Sequence, residues 1–478
     1  MTKIQNVIRG IFWSGADRFS VQIVQFFISV ILARLLTPQD FGLLAMMLVV
    51  INIIQVINEV GFGEALMQKL NRDELDFSTI FIFNIIFGVT LYGIIFLMAP
   101  LIAIFFEFAE LTQLIRILGI NVIITSVVVV PRTRLFILVD FKTQAKASFI
   151  SIVFSGCIGV YCAYIGFGVM ALLFQSLLFN GINTVLIWIF VKWHPKIQFS
   201  YNRFFTLYKY AYKLIFARLI NSIFNEAYSL IIGKIYSPTE LGFFNRAKSF
   251  EQLSSNNITN LVQRVSTPLL CEEQKNKERM GVVLLKFIQN TALVVYPLLC
   301  GMFVLAEPLI VVLLTEKWIF SAWILKVLCP VGLLYVISTF NMNIFNATGR
   351  TDLALKSEVL KKSIFIVILI VAIYKGFHAL VYSQILIAAI EFYVNIYYTK
   401  KQIGLRLMAQ IKNIIMILLS SVIMSCFIWL STLLLNNNIS KLIVGIGVGV
   451  IVYFLLCYFF NIAYTRKLLF IIKNKYKD

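Results

Sequence analysis

Charge is scarce in this sequence and histidine is nearly absent. Asp, Glu, Lys and Arg make up 13% of the 478 residues, with 22 acidic against 42 basic side chains. A soluble chain carries about 25% charged residues, so this one has too few to cover its apolar side chains with a hydrated surface. The two histidines, His194 and His378, have no partners at metal-ligand spacing, so no metal site is expected. No G-x-x-x-x-G-K-S/T motif occurs, which excludes an ATP-cradling P-loop. The seven cysteines form no CxxC pair. Cys157, Cys162, Cys300, Cys329, Cys426 and Cys457 lie in apolar stretches as small hydrophobes, and Cys271 lies in a loop read as cytoplasmic, so no disulfide framework is expected. The connections between apolar stretches are too short to house a soluble catalytic domain. The expectation is a protein that is not an enzyme and uses no cofactor, driven by an ion gradient, a substrate gradient or an outside partner.

What is abundant is apolar. Hydrophobic residues make up 60% of the chain, and the mean hydropathy is +0.89. Spanning a bilayer takes about 20 apolar residues per helix. Such runs fall near 11–36, 40–62, 77–105, 111–131, 146–166, 168–191, 208–235, 241–263, 282–314, 320–346, 358–375, 378–399, 411–435 and 440–463. The fold class expected is an all-α polytopic membrane protein with about fourteen spans. The first run is too long for a signal-peptide core and lacks a small-residue cleavage site, so it reads as a retained span.

Lysine and arginine set the orientation. With the N-terminus inside, the inner segments hold 31 of them and the outer loops five: Arg34, Lys234, Lys317, Lys375 and Lys441. A miscount of one helix would scramble this alternation. The net charge of +20 is therefore read as topology, with no nucleic-acid partner, and both termini are expected in the cytoplasm of a bacterial inner-membrane protein.

The chain contains a duplication. Residues 31–43 read ILARLLTPQDFGL and residues 231–243 read IIGKIYSPTELGF, at an offset of 200. Further matches follow in order: Ala99-Pro100-Leu101-Ile102 with Glu307-Pro308-Leu309-Ile310, and Tyr164-Ile165-Gly166-Phe167 with Tyr374-Lys375-Gly376-Phe377. In the first match Thr37 or Ser237 N-caps a helix, Pro38 or Pro238 takes its first position, and Asp40 or Glu240 completes a capping box. Six spans per copy is an even number, so both copies insert the same way up, as in transporters whose site lies between two halves. The organisation expected is a six-helix lobe at 1–204, its repeat at 205–404, and two extra helices with a basic cytoplasmic tail at 405–478.

Polar residues inside the spans repeat as well. Arg18, Gln22, Gln25 and Ser29 share one helix face, and Arg218, Ser222, Asn225 and Ser229 repeat that spacing 200 residues later. Asn52, Gln55 and Glu59 are matched more loosely by Gln252, Ser255 and Thr259, and the eighth span adds Arg246, Lys248 and Glu251. Two readings stay open for the cations: a side chain that snorkels to the interface, or one that faces an internal cavity. The arginine-headed stripes favour the cavity for Arg18 and Arg218, while Arg246 and Lys248 stand evenly between the two. A cationic cavity suits an anionic cargo, because guanidinium pairs bidentately with phosphate oxygens. Of the intramembrane acids Asp17, Glu59, Glu226, Glu251 and Glu391, the candidates for ion coupling are Glu226 and Glu391.

Three stretches carry a family likeness: Gly10–Gly63 with FWSGADRF, LLTPQDFGL and VGFGEAL; YSPTELGFFNRAKSF with NNITNLVQRVSTPLL; and FNATGRTDLAL at Phe345–Leu355. At these residues the chain resembles the Wzx-type polysaccharide flippase branch of the multidrug/oligosaccharidyl-lipid/polysaccharide (MOP) exporter superfamily. The resemblance implies a MATE/MOP-like fold of two lobes that alternate access. It implies a polyprenyl-pyrophosphate-linked oligosaccharide as cargo, membrane lipids as partners, and polysaccharide polymerase and chain-length machinery as protein partners. It also carries over Arg18, Arg218 and Arg246 as cavity cations, and it suits the last two helices to a lipid-tail groove. Unassisted transfer of such a head group through hydrocarbon would cost on the order of tens of kcal/mol. Two alternatives remain. An ion-coupled multidrug exporter would need an acidic or aromatic cavity, which the arginines oppose. A membrane glycosyltransferase or polymerase would need a large outer loop, which is lacking.

Overall fold

The computed structural model describes residues 21–460, the side chains of residues 59–61, 210, 213, 214, 217 and 351 excepted. Among these residues the chain is helical throughout and holds no strand. The helices divide between two compact units, Met1–Gly242 and Phe243–Asp478. The first contains α1 (Val21–Leu35), α2 (Pro38–Gln68), α3 (Glu74–Phe106), α4 (Leu111–Ile137), α5 (Phe141–Tyr164), α6 (Val169–Val191), α7 (Tyr201–Ile235) and the start of α8 (Pro238–Ser254). The second continues with α9 (Asn256–Glu272), α10 (Lys277–Val304), α11 (Ala306–Leu314), α12 (Ile319–Thr348), α13 (Thr351–Tyr374), α14 (Phe377–Ile403), α15 (Leu407–Leu433) and α16 (Asn438–Phe459).

Among the described residues ten helices are long and apolar enough to cross a membrane: α2 to α6, α10, α12, α14, α15 and α16. The protein is a multi-pass membrane protein. Among the remaining expected spans, α1 is described only from Val21, and α7 and α13 are rich in charge, with Arg203, Lys209, Arg218 and Lys234 on one and Lys356, Glu358, Lys361 and Lys362 on the other. Two expected spans are each broken into two helices. The run 282–314 divides at Leu305, because Pro308 has no N–H to offer the Val304 carbonyl and the ladder restarts with Leu309 N donating to Leu305 O at 2.8 Å. The run 241–263 divides at Ser255, where the Ser255 hydroxyl bonds the Glu251 carboxylate and the Asn256 amide oxygen, so side chains compete with the helical path.

The repeated hairpin forms as its residues dictate. Thr37 Oγ1 accepts from Asp40 N at 3.3 Å while Thr37 N donates to Asp40 Oδ2 at 2.9 Å, with Pro38 opening α2. In the second copy Ser237 Oγ accepts from Glu240 N at 3.1 Å and donates to Glu240 Oε2 at 3.0 Å. The glycine that ends each motif has its own reason. A Cβ on Gly42 would overlap the Pro238 carbonyl oxygen, and one on Gly242 would overlap the Pro38 carbonyl oxygen. The two hairpins thus cross backbone to backbone, an approach that only glycine permits.

Inside the first unit α2 packs along α7, α3 on α4, and α5 on α6. Its aromatic core joins Phe62, Phe77, Phe81 and Trp193. Inside the second unit α12 packs on α14, and α10 on α15. Asn341 and Gln410 exchange amide hydrogen bonds at 2.8 and 3.1 Å, and the Tyr453 hydroxyl donates to the Leu293 carbonyl at 2.8 Å, which tie α15 and α16 to that unit. Large apolar side chains such as Leu97, Leu101 and Ile443 stand outward, as they do where lipid is the solvent.

Gly42→Ala forces the crossing apart and should cost on the order of 1–3 kcal/mol of stability. Gly93→Ala meets open space and should be neutral. Thermal unfolding in detergent followed by size-exclusion chromatography measures the difference; equal midpoints for the two variants would contradict the close crossing.

Candidate functional site

The polar stripe expected on α7 exists, and its surroundings are readable residue by residue. Arg218 is exposed, and its Nη2 meets Glu64 Oε1 of α2 at 2.6 Å. One turn on, Ser222 is half-buried, Asn225 is exposed, and Ser229 is buried. Glu226 is half-buried and accepts a 2.9 Å hydrogen bond from Asn52 Nδ2 of α2. On α1, Gln22 is half-buried and Gln25 exposed. Arg18 and Asp17 lie outside the described residues, as does the Glu59 side chain.

These contacts belong to a longer seam between α7 and the α2–α3 hairpin. At the end bearing the α2–α3 turn, Arg203 pairs with Asp73 and reaches Asp76 at 3.3 Å. Asp76 is fully buried and also takes Lys69 Nζ at 2.6 Å. Two cations on one buried carboxylate offset the desolvation that a lone charge would suffer. Asp73 caps α3. The Asp76 N–H that it accepts holds its carboxyl below the usual range, and Arg203 adds to this. At the far end of the seam, Lys234 donates to Glu107 at 2.7 Å and holds that exposed carboxyl below its usual range.

In the second unit α8 carries the other candidates. Arg246 is buried, with its guanidinium 5.7 Å from the ring centre of the fully buried Trp318. Lys248 is half-buried, 5.9 Å from the Phe244 ring. Glu251 is buried and accepts from the Ser255 hydroxyl at 2.5 Å. Gly332 of α12 makes room for it, since a Cβ there would overlap Glu251 Oε1. Glu391 of α14 has Lys361, Lys362 and Glu358 of α13 as charged neighbours, and the buried Lys361 ammonium bonds the Glu358 carboxylate.

The sequence reading missed three groups. Glu64 stood in the quoted VGFGEAL stretch, and nothing local marked it as the partner of a residue 154 positions away. Asp76 is a capping-box acid whose burial depends on Arg203 arriving from α7. Lys361 and Lys362 fell among the 31 inner-segment cations, although the i,i+3 spacing of Glu358 to Lys361 is itself an ion-pair signal.

Breaking the buried cluster with Asp76→Asn should cost roughly 1–3 kcal/mol, because Lys69 loses its carboxylate while Arg203 keeps Asp73. Glu107→Gln should change the unfolding midpoint little, since both ends of its pair are solvated. The pH sign follows from the lowered carboxyls. The contributions of Asp73 and Glu107 are fully present above their unfolded values, about 4. They are lost as pH falls through the lower folded values. Unfolding midpoints between pH 3 and 7 test both statements; an Asp76→Asn protein as stable as its parent would remove the cluster from the stability argument.

With this geometry in view, comparison with known proteins places the chain. Residues 31–322, well over half of it, match the family described as polysaccharide biosynthesis protein. The teichuronic acid biosynthesis protein TuaB of Bacillus subtilis is 27% identical over 355 residues, covering 73% of each chain. The lipopolysaccharide biosynthesis protein WzxC of Escherichia coli is 22% identical, covering 77% of this chain and 75% of that one. Among solved structures, the lipid II flippase MurJ in an inward closed conformation superposes with a TM-score of 0.77 at 17% identity, over 95% of this chain and 99% of that one. A MATE-family multidrug resistance transporter of the MOP superfamily, inward-facing, gives 0.63 at 16% identity, over 81% and 98%. These likenesses give the fold, and the match over residues 31–322 gives the lineage: the chain belongs to the polysaccharide biosynthesis protein family.

Proposed function

We propose that this protein turns a polyprenyl-pyrophosphate-linked oligosaccharide from the cytoplasmic to the outer leaflet of the bacterial inner membrane, for surface polysaccharide assembly. The observation that carries the proposal is Arg218, a guanidinium exposed midway along α7 in a chain of a polysaccharide-biosynthesis family. A fixed cation at that depth replaces hydration that a pyrophosphate would lose, while a polyprenyl tail stays in lipid. Relatives named for teichuronic acid and lipopolysaccharide biosynthesis, and the fold shared with a lipid II flippase, support the same reading.

The proposal includes the finer organisation. Fourteen spans, both termini in the cytoplasm, lobes at 1–204 and 205–404, and two extra helices at 405–478 rest on the loop charges and the duplication. Alternating access is the mode of transport. The cargo-facing set is Arg18, Gln22, Gln25, Arg218, Ser222, Asn225, Arg246 and Lys248, and Glu226 and Glu391 are the ion-coupling groups. Polymerase and chain-length proteins would receive the product. The shared MATE fold keeps an ion-coupled multidrug exporter as the second reading.

Arg218→Ala and Arg18→Ala should each abolish surface polysaccharide, at least a tenfold drop for the loss of a charge-assisted contact, with protein levels in the membrane unchanged. Arg218→Lys should keep partial function if charge matters more than the planar fork. Polysaccharide staining against immunoblots reads both quantities; full production in the two alanine variants would overturn the cationic-cavity reading. Transport that is unchanged in Glu226→Gln and after collapse of the proton gradient would remove Glu226 from coupling.

A further inference from the structure

The Arg218–Glu64 pair differs from the Arg203 pairs at the α2–α3 turn, because Arg203 holds the exposed Asp73 and also reaches the fully buried Asp76, which Lys69 shares. The Arg218 and Glu64 side chains are 53% and 32% exposed, so the pair is open to the medium around it. In the contact one guanidinium nitrogen meets one carboxylate oxygen. A phosphate or pyrophosphate offers more oxygens and more charge, and engages two nitrogens of an arginine at once. The backbone under Glu64 is fixed, because Gly63, Ala65 and Leu66 on either side are buried in the α2 core. Arg218 is therefore held to α2 at this level by a bond that a stronger anion can take away.

We propose that Glu64 is a resident stand-in for the phosphate of the cargo. It occupies Arg218 when the protein is empty and is displaced when a phosphate-bearing anion arrives. The proposal rests on the anionic-cargo reading and adds a role for an acidic residue. Two consequences follow from the exchange. Arrival of the anion breaks the side-chain link between α7 and the last turns of α2, so occupancy is converted into freedom of one helix against the other at that end. The competing carboxylate also weakens net binding, which lets the anion leave once carried. A neutral or cationic molecule has no means of displacing Glu64, so the pair selects by charge. Asn52–Glu226 contains no arginine, and Arg203 is held by the buried Asp76 as well as by Asp73, so an anion that takes one contact from it leaves the other.

The test uses the full-length protein in nanodiscs, with inorganic pyrophosphate as the probe and calorimetry as the readout. Glu64→Gln removes the competitor and should bind pyrophosphate roughly 1.5- to 5-fold more tightly than the parent, the range for relief of one exposed ion pair. Glu64→Asp, which keeps the charge on a shorter arm, should fall between them, and it serves if the glutamine variant folds poorly. Arg218→Gln should lose binding, and adding Glu64→Gln to it should not restore it. Spin labels at the exposed positions Met67 and Phe216 give a second readout. Pyrophosphate should lengthen their separation in the parent, and Glu64→Gln should show the longer distance without it. Equal or weaker binding by Glu64→Gln, with Arg218→Gln still defective, would overturn the stand-in role while leaving the anionic-cargo reading intact. Pyrophosphate binding that ignores Arg218 altogether would overturn both.

Discussion

Hydrocarbon offers no hydrogen bonds, so each polar group carried to bilayer depth has to be answered from within the protein. That constraint organises this structure. Buried Asp76 gathers Lys69 and Arg203, buried Glu251 takes the Ser255 hydroxyl beneath Gly332, and buried Lys361 takes Glu358. It also governs the backbone. Pro100, Pro131 and Pro297 sit inside helices, and the carbonyls they free accept instead from Arg116 Nε (Phe96 O), Trp188 Nε1 (Val127 O) and the Tyr453 hydroxyl (Leu293 O). With little hydrophobic drive between helices in lipid, close backbone approach becomes the adhesive, and Gly42 and Gly242 supply it where the two copies of the hairpin cross.

The same constraint separates charges that hold the fold from charges that can do work. A buried carboxylate with two cations has no cheap alternative, so it stays as it is. An exposed pair in a span is held more loosely, since removing it from its partner leaves it in contact with whatever fills the space beside it. Arg218 with Glu64 is of the second kind, and Arg203 with Asp76 is of the first, although both pairs join the same two regions of the chain. Exposure, more than distance, tells them apart.

Helix identity and order were legible because an apolar run of span length has one stable conformation in lipid, and because the basic residues alternate between loops. The capping box at Thr37 was legible for the same local reason, since its partners are three residues apart. The break at Leu305 was missed although Pro308 was in view, because an apolar run was weighed above a missing N–H. The stripe of Arg218, Ser222 and Asn225 came from spacing along one helix. Its partner Glu64 could not, because pairing across 154 positions is set by how α2 and α7 pack. Sequence shows which side chains share a face; it does not show what that face meets.

The duplication sharpens this point. The crossing glycines, the capping acids and the arginine at the head of the stripe all recur 200 residues apart. The Arg218–Glu64 pair does not. The corresponding positions are Arg18 and Arg264, two like charges where the described copy has an acid and a base. A duplicated transporter with the same ion pair in each copy would answer an arriving anion twice in the same manner. Exchanging one carboxylate for a guanidinium makes the two copies unequal in sequence at the position that answers Arg218, so the pair with Glu64 belongs to one copy of the pattern and is not dictated by the duplication.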